Sequence, residues 1–483
     1  MKQSSRLVWL GVGLLSVLPL PAVAQGTSAT PSRPNILIAV ADDWSWPHAG
    51  AYGDRTVATP TFDRVAKEGA RFSHAFTMAP SCTPSRAALL TGQAAHRLAE
   101  GGNLHGSLPA RFAVYPDLLE AAGYFVGYTR KGWGPGRVEP GGRSRNPAGQ
   151  QFAGFDEFMK QRPAGRPFSF WFGSHDPHRP YEKGSGLKAG LKLESVVVPP
   201  FLPDTPEVRG DLLDYYLEVQ RFDREVGEIL DKLAAAGELD NTLVVITSDN
   251  GMPFPRAKAN VYDAGVHMPL AVRWPSRVPA GRVIDAFVSH TDLAPTFLDA
   301  AGLRPPPGTT GRSLLPVLRG ERVAGREQVF VERERHANVR KGDLSYPMRA
   351  VRTRDFLYIR NFRPDRWPAG DPEKYVAVGP FGESADGPTK QLLLSRHAAD
   401  EVIAPFFELA TAKRPAEELY DLRGDPWQVV NVAGRPEPAR VQKTLREALD
   451  RWMRQTGDPR AKGNADPWDR YPYYGQPGPS EPR

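Results

Sequence analysis

Residues 82–92 place a cysteine, a serine and an arginine in a spacing that suits nucleophilic attack on an anion. The segment reads Cys82-Thr83-Pro84-Ser85-Arg86-Ala87-Ala88-Leu89-Leu90-Thr91-Gly92. We expect Ser85–Leu90 to form the first turns of a helix, so that residue 82 lies at its amino end, where free N–H groups and the helix dipole favour anions. Arg86, four residues later, would lie on the same face, unless it is an ordinary surface cation.

Two pairs of oxygen-bearing side chains have the pattern of a cation site. Asp42 and Asp43 follow one apolar run, and Asp249 and Asn250 follow another. Adjacent carboxylates repel each other, so they are either solvated turn residues or ligands of a hard cation such as Ca²⁺. The residues alone leave both interpretations open.

The first residues have the features of a secretory signal peptide. A basic start with Lys2 and Arg6 precedes an apolar run over residues 7–18 and an Ala-Val-Ala triplet at 22–24. The run is shorter than the roughly 20 apolar residues that span a bilayer, and no later stretch qualifies. We therefore predict a signal peptide over residues 1–24 and an exported protein, periplasmic or secreted, without a membrane span.

Cys82 is the only cysteine among the 483 residues. A single cysteine cannot form an internal disulfide, and an unpaired thiol in an oxidising compartment is a liability unless it is buried or used. A buried cysteine that packs as a small hydrophobe is the alternative to a functional one. The formal net charge of +7 falls to +5 without residues 1–24. This mild excess, with no dense basic run, predicts no nucleic-acid partner.

The elements that must position these residues have an α/β pattern. From Pro34 onward, short β-branched runs alternate with helical patterns, which predicts a large, mostly parallel sheet flanked by helices. Four apolar runs, over residues 35–40, 124–129, 168–172 and 242–247, are each followed at once by polar residues. Ligands of open α/β sheets bind beyond the carboxyl ends of the strands. The polar residues expected to converge there are Asp42, Asp43, Lys131, His175, His178, Asp249 and Asn250.

Helical periodicity and a change of composition define the remaining organisation. Helices are predicted over residues 60–69, 211–235, 293–301 and 441–455. Near Tyr346 the sequence becomes rich in aromatic β-segments. We therefore predict an α/β catalytic domain over residues 25–345 and a smaller α+β subdomain over residues 346–483. Its tail, from Asp458 onward, has no periodicity and is expected to be partly extended.

The eleven residues from Cys82 to Gly92 match the signature of the formylglycine-dependent (type I) sulfatases without exception. The chain thus resembles this family, which belongs to the alkaline phosphatase superfamily. The resemblance implies that a maturation enzyme oxidises Cys82 to formylglycine, whose hydrated form attacks sulfur. Residues 201–206 and 345–349 are similar to the branch that contains heparan N-sulfatase (sulfamidase). This implies a sulfated carbohydrate of the glycosaminoglycan type as substrate, carrying either an N-sulfated glucosamine or an O-sulfated sugar.

The same resemblance assigns roles to individual positions. It implies that Asp42, Asp43, Asp249 and Asn250 bind a metal together with an oxygen of the residue formed from Cys82. Oxygen ligands favour Ca²⁺, with Mg²⁺ as the alternative. The residues assigned to catalysis are Cys82, which becomes the nucleophile, Arg86, Lys131 and Lys258, which contact the nucleophile or the sulfate, and His178, the general acid.

One position departs from the family pattern, and the substrate contacts are less specific. The common Gly-Lys-x-His pattern reads Arg130-Lys131-Gly132-Trp133 here, so its histidine is missing, and a shift of one residue would make Arg130 the functional cation. Candidate substrate-binding residues, which are otherwise ordinary polar residues, are His105, His175, Glu334, Arg335 and His336. A phosphoester or phosphonate hydrolase of the same superfamily and an unmatured glycan-binding pseudoenzyme are the alternative functions. A homodimer is left open.

Overall fold

The computed structural model describes residues 1, 4–11, 33–373, 379–463 and 466–475. The chain divides into an amino-terminal unit, Met1–Ser32, and a unit that begins at Arg33. Most of the predicted signal peptide lies outside the described residues; its described part, 1 and 4–11, is exposed and contains no helix or strand. Within the described ranges, no helix is long and apolar enough to cross a membrane.

The larger sheet of the second unit has eight strands in the order β4-β3-β5-β1-β6-β7-β2-β8. The strands are β1 (Asn35–Ala41), β2 (Ala70–Phe76), β3 (Phe125–Arg130), β4 (Gln150–Phe152), β5 (Phe168–Gly173), β6 (Thr242–Ser248), β7 (Ala271–Arg273) and β8 (Arg282–Ser289). Strand β7 pairs antiparallel with both neighbours, and the other pairs are parallel. The predicted mostly parallel sheet is confirmed.

Both faces of this sheet are covered. Every residue of β1 and of β6 is buried, as expected for parallel strands between two layers of helices. Leu37 and Ala39 of β1 pack into one core, whereas Ile36, Ile38 and Val40 pack into the other. This alternation follows from the two-residue period of a strand.

Twelve α-helices occur in the described ranges. They are α1 (Pro60–Glu68), α2 (Cys82–Thr91), α3 (Tyr115–Ala121), α4 (Phe155–Gln161), α5 (Ser185–Lys188), α6 (Pro206–Ala235), α7 (Asp263–Val266), α8 (Leu293–Ala300), α9 (Leu315–Arg319), α10 (Pro388–Arg396), α11 (Ala404–Thr411) and α12 (Ala439–Thr456). Helices α1, α6, α8 and α12 correspond to the four helices predicted from periodicity. Helix α6 begins earlier than predicted because the Thr205 side chain accepts a hydrogen bond from the Val208 amide and caps it.

A separate four-stranded sheet is antiparallel throughout, in the order β12-β11-β10-β9. Its strands are β9 (Gln328–Arg333), β10 (Met348–Thr353), β11 (Phe356–Asn361) and β12 (Glu417–Asp421). Helix α12 covers one face, where Leu445 and Leu449 pack on Val351. The expected smaller α+β part is therefore present. Its edge strand β9 precedes residue 346, because β9 pairs with β10 in one sheet.

The chain beyond α12 is more ordered than its sequence predicts. Pro459–Lys462 and Pro467–Arg470 each form a single-turn 3₁₀ helix, and the side chain of Trp468 is buried. We call residues 466–475 the terminal segment. It forms hydrogen bonds with residues that are far away in the sequence. Contacts with distant residues therefore hold the described part of this tail, which the sequence predicts to be partly extended, in place.

Candidate active site

The carboxyl ends of four adjacent strands bring the predicted site together. Ala41 at the end of β1 pairs with Ser248 at the end of β6, which places Asp42 beside Asp249. The Asp42 amide donates to the carbonyl of Asp176 after β5, at 2.9 Å, and the Lys131 amide donates to the carbonyl of Gly173, at 3.0 Å. These backbone hydrogen bonds join the loops that follow β1, β3 and β5, as the strand-end pattern predicted.

Cys82 is the first residue of α2, with Ser81 as the extended residue before it. Its side chain is buried, and Sγ lies 3.5 Å from Oδ1 of Asp42. Burial raises the pKa of the Cys82 thiol to about 12, although Lys131 and Lys258 oppose this shift. The unmodified thiol is therefore protonated at neutral pH and is a poor nucleophile.

Each carboxylate of the site has its own cation. Nζ of Lys131 lies 2.5 Å from Oδ2 of Asp42, and Nζ of Lys258 lies 2.7 Å from Oδ2 of Asp43. Nε of Arg86 donates to Oδ2 of Asp249 at 2.7 Å. We call these six residues and Cys82 the catalytic cluster.

The cations decide the charge of the Asp42 carboxylate. Burial alone would raise the pKa of Asp42, but Lys131, His178 and Arg86 hold it well below its usual range. Burial likewise favours neutral Lys131, yet Asp42 raises the pKa of that lysine. The pair is therefore charged at neutral pH.

Arg86 is fully buried, so the alternative of an ordinary surface cation is wrong. Its Nη1 donates to the carbonyls of Lys131 and Gly132, both at 2.8 Å, and thereby holds the loop after β3 against α2. Its Nη2 has no hydrogen-bond partner and lies 4.0 Å from Oδ1 of Asp42. Arg86 thus both positions the Lys131 loop and leaves one nitrogen without a hydrogen-bond partner near Asp42.

The donor set fits a hard cation. One ligand atom from each of Asp42, Asp43, Cys82 and Asp249 lies within 4.8 Å of the others. Asn250 donates to Oδ1 of Asp43 at 2.7 Å, whereas its own Oδ1 is buried without a partner. Asp43 has a positive φ of 81°, a strained conformation that is common at functional sites. Carboxylate oxygens with an unpaired amide oxygen are the ligands that Ca²⁺ and Mg²⁺ prefer.

Cys82 lies at the base of a cleft of about 860 Å³. Among the described residues that line it are Asp42, Cys82, His105, Arg130, Lys131, Trp133, His175, His178, Lys258, His336, Glu383 and Tyr473. His178 is 40% exposed, and its Nε2 lies 3.9 Å from Oδ2 of Asp43. An exposed imidazole beside these buried, paired charges is placed to exchange a proton with a molecule bound in the cleft.

Comparisons with known proteins agree with this geometry. A family model described as "Sulfatase" matches residues 34–141 and 147–303, and a second, "N-sulphoglucosamine sulphohydrolase, C-terminal", matches residues 256–374. The chain belongs to the sulfatase family. The sequence-based resemblance and the predicted enzyme class, hydrolysis of sulfuric esters or sulfamates, are thereby confirmed.

Two relatives and two solved structures illustrate the range of similarity. N-sulphoglucosamine sulphohydrolase of Homo sapiens is 34% identical over 89% of this chain and 91% of that protein. An ulvan-active sulfatase of Formosa agariphila is 28% identical over 89% of this chain and 76% of that protein. A structure holding its substrate D-glucosamine-2-N,6-O-disulfate has a TM-score of 0.62, with 19% identity over 88% of this chain and 99% of that one. Phosphonate monoester hydrolase of Agrobacterium radiobacter has a TM-score of 0.60, with 19% identity over 88% of this chain and 96% of that one. At such identities the two structures show the fold alone.

In this sulfatase, Lys131 rather than Arg130 joins the catalytic cluster. Arg130 lines the cleft, but its guanidinium is paired with Glu225 at 2.6 and 2.8 Å. Trp133 follows in the place of the usual histidine; it is buried, and its Nε1 has no hydrogen-bond partner. The one-residue shift considered from the sequence is therefore wrong.

Three other histidines of the sulfatase, His105, His175 and His336, line the cleft. Nδ1 of His336 lies 2.8 Å from Oγ of Ser81, the residue before Cys82. Burial lowers the pKa of His336 to about 3 and that of His105 to about 4, so both imidazoles are neutral at pH 7. Neutral imidazoles can donate or accept hydrogen bonds to polar groups of a substrate. His105, His175 and His336 thus lie where the sequence placed the substrate.

Glu334 and Arg335 are not among the described residues that line the cleft, so the structure does not bring these two predicted substrate contacts together with the others. Glu334 is buried between Arg349, at 2.7 Å, and Arg460, at 2.6 Å. Arg335 is buried as well and donates to the carbonyl of Tyr471 at 2.7 Å. The side chains of Glu334 and Arg335 instead form ion pairs and hydrogen bonds with residues that follow them in the sequence.

The structure adds cleft residues that the sequence did not reveal. Glu383 lines the cleft and shares its Oε1 between Arg333 and Arg340, at 2.6 and 2.7 Å. Tyr473, from the terminal segment, lines it as well. Neither residue lies in a periodic or motif-bearing stretch, and no sequence signal other than the aromatic character of the tail pointed to Tyr473.

Proposed function

We propose that this chain is a formylglycine-dependent sulfohydrolase that releases sulfate from sulfated amino sugars, with an N-sulfated glucosamine as its preferred substrate. The observation that carries this proposal is the position of Cys82 at the base of the cleft, among three carboxylates and three cations. The choice of sugar is supported by the similarity to the human N-sulphoglucosamine sulphohydrolase, which extends over 91% of that protein.

The catalytic cluster explains why the cysteine would need modification. A buried, protonated thiol cannot approach a sulfate group effectively, whereas a formylglycine made from Cys82 supplies a hydrated aldehyde whose hydroxyl attacks sulfur. Ca²⁺, with Mg²⁺ as the alternative, would be held by Asp42, Asp43, Asp249 and Asn250. When bound, the metal supplies positive charge that polarises the sulfate and favours an ionised nucleophile.

The chain's own side chains supply the remaining steps. Lys131 and Lys258, which both line the cleft, would bind sulfate oxygens and offset the negative charge that repels a nucleophile. Arg86 keeps Asp249 and the Lys131 loop in position. His178, exposed to the cleft, would donate a proton to the departing amine or hydroxyl.

We further propose that the enzyme is exported through the predicted signal peptide over residues 1–24. The single cysteine supports this, because a chain with no second cysteine cannot be trapped in an internal disulfide before Cys82 is oxidised. The partner required in the host is a formylglycine-generating enzyme.

Sulfate release from defined substrates tests the proposal. Protein co-expressed with a maturation enzyme should act on glucosamine N-sulfate at least about tenfold more efficiently, in kcat/KM, than on 6-O-sulfated N-acetylglucosamine or ulvan oligosaccharides. Mass spectrometry of the peptide that contains residue 82 should show the aldehyde. An unmodified thiol in active enzyme, or a preference for O-sulfated sugars, would contradict the respective part of the proposal.

Two alternative functions can be tested by adding further compounds to the same set of substrates. A phosphonate ester hydrolase is suggested by the shared fold, and a preference for aryl phosphonate esters over sulfates would support it. A glycan-binding protein without activity is suggested by Trp133 in the place of a histidine. Binding of sulfated sugar without any sulfate release, by protein whose Cys82 stays unmodified in the host, would support that alternative.

A further inference from the structure

The terminal segment is fixed to the protein at several points. The Asn103 side chain donates to the carbonyl of Trp468 at 3.0 Å, and the Ser345 amide donates to Oδ1 of Asp469 at 2.7 Å. Trp468 itself is buried at 1% exposure. The segment therefore has a defined path across loops that are far from it in sequence.

These contacts position the ring of Tyr473. Arg335 donates to the carbonyls of Tyr471 and Pro472, and its guanidinium carbon lies 5.6 Å from the centroid of the Tyr473 ring. The ring of His105 lies 5.0 Å from the same ring at 58°, and the Tyr474 amide donates to the His105 carbonyl at 2.8 Å. Two neighbours thus hold the aromatic ring in one orientation.

The held ring lies on the same cleft as the nucleophile. Tyr473 is half-buried and lines the cleft together with His105, Lys131 and Cys82. His105, whose ring lies against the Tyr473 ring, lines this cleft together with Lys131 and Lys258, which we call its cationic end. The wall that contains Tyr473 and the cationic end therefore belong to the same cleft.

We propose that Tyr473 forms the wall on which the pyranose ring of the substrate packs, so that the terminal segment supplies the sugar subsite; this rests on the proposed function. Apart from Cys82, the catalytic cluster consists of charged groups, which recognise a sulfate but not the sugar that carries it. The C–H face of a pyranose is apolar and packs on the electron-rich face of an aromatic ring. A ring already held by Arg335 and His105 loses little conformational freedom on binding. Both matched family models end before this residue, the later one at residue 374.

Calorimetric titration of a protein that cannot turn over tests the subsite. In a Cys82→Ala background with calcium present, glucosamine N-sulfate should bind at least about tenfold more tightly than inorganic sulfate. Tyr473→Ala in that background should weaken binding of the sugar by about tenfold or more, because a held aromatic ring is a strong contact. Its affinity for inorganic sulfate should stay within about twofold, since the cationic end is untouched.

Two variants separate this role from a structural one. Tyr474→Ala is the matched control, because Tyr474 is the next tyrosine of the same segment but is not among the residues that line the cleft; it should leave both affinities within about twofold. Tyr473→Phe keeps the ring, loses only the phenol oxygen that is hydrogen-bonded to the Asn338 backbone, and should stay within about threefold.

The outcomes that would overturn the subsite are distinct from failure of the proposed function. Unchanged binding of the sugar by Tyr473→Ala, or an equal loss of sugar and inorganic sulfate, would show that Tyr473 does not contact the sugar. A parent that binds the two ligands equally would do the same. If the Cys82 enzyme releases no sulfate while the sugar still binds through Tyr473, only the hydrolytic function is wrong.

Discussion

Among the described residues, two buried clusters of carboxylates and cations contain groups with metal-like spacing, and of these two only the first contributes side chains to the lining of the cleft. The first is the catalytic cluster at the carboxyl ends of the large sheet. The second, which we call the arginine network, adjoins the small sheet and consists of His96, Glu332, Glu334, Arg349, Asp458 and Arg460. Both contain groups with metal-like spacing, the second through His96, Glu332 and Asp458.

The arginine network is closed and internally matched. Arg349 donates to Asp458 at 2.6 Å and to Glu334 at 2.7 Å, and its Nε lies 3.3 Å from Glu332. Nδ1 of His96 lies 2.8 Å from the same Glu332 carboxylate. None of the network's side chains is among the described residues that line the cleft or that have a buried atom without a partner.

The catalytic cluster differs in what it leaves unsatisfied. Arg86 in the cluster and Asn250, which donates to Asp43 of the cluster, each keep a buried polar atom without a partner, and Asp43 has a strained backbone. Such unmet bonds cost stability, so they persist where a ligand or a reaction uses them. The comparison teaches that unsatisfied polar atoms and an open cleft, rather than the number of buried charges, distinguish a reactive cluster from a structural one.

The sharpest test of this difference is loss of the nucleophile. Cys82→Ala should lower kcat/KM for sulfate release by at least about 10⁴-fold, because covalent catalysis has no substitute in the cluster. Its melting temperature should stay close to that of the parent, since a small buried side chain is replaced by a smaller one. A control in the arginine network, Glu334→Gln, should destabilise the protein but keep the activity of the folded fraction within a few-fold. Equal activity losses in both variants would erase the distinction.

Removing a cation from the arginine network should lower the stability of the protein and leave its activity unchanged. Arg349→Ala leaves three carboxylates buried without their main cation, which should lower the free energy of unfolding by about 3–5 kcal/mol. Urea unfolding measures this loss, and sulfate release per folded molecule should be unchanged.

The matched control for that variant is an exposed pair. Arg319 lies 2.9 Å from Glu321 on the surface, and both side chains are about half exposed. Arg319→Ala should therefore cost less than about 1 kcal/mol. If Arg349→Ala costs no more than this surface variant, the network does not contribute to stability as its geometry indicates.

Metal removal should affect the catalytic cluster but not the arginine network. A chelator such as EGTA should lower sulfate release by at least about 100-fold, and added Ca²⁺ at 100 times its Kd should raise the free energy of unfolding by about 2.7 kcal/mol. Asp43→Asn should lose this stabilisation, whereas Glu332→Gln should keep it, because the charges of the network are already matched by Arg349. If calcium no longer stabilises the Glu332→Gln variant, the metal binds in the arginine network rather than in the catalytic cluster.

The sequence predicted the catalytic cluster because its members follow strands or a motif. Asp42, Lys131 and Asp249 come directly after apolar runs, and parallel strands end at a common edge. Cys82 and Arg86 lie in one continuous signature. Local patterns were therefore enough to bring remote residues together and to give the α/β fold.

The same reasoning failed where partners lie far away and no periodicity marks them. Glu334 follows a strand, as Asp249 does, and nothing local shows that Arg349 and Arg460 will bury it. Tyr473 reaches the cleft only because Asn103 and Arg335 hold the terminal segment. Long-range side-chain contacts, unlike strand ends, leave no pattern in a single sequence.

The smallest expected effect concerns how acid affects the arginine network. Burial alone would raise the pKa of Glu332, but His96 and Arg349 lower it below its ordinary value of 4.5. Arg349 and His96 likewise lower the pKa of Asp458 below 3.8, against the effect of burial. The unfolded chain therefore binds protons more readily than the folded one once the pH falls below about 4.5. The stabilisation is complete above that pH and is lost as the pH falls towards the folded pKa values.

Removing one of these titrations should flatten the acid limb of the stability curve. Urea unfolding of the parent between pH 6 and pH 3.5 should show a free energy that falls below about pH 4.5, with a slope of up to about 1.4 kcal/mol per pH unit for each proton taken up. Glu332→Gln should be less stable at pH 6 but lose less on acidification, because one carboxylate no longer binds a proton on unfolding. Parallel curves of unfolding free energy against pH for the two proteins would mean that the network does not hold Glu332 ionised. The arginine network would then resemble the catalytic cluster only in its geometry.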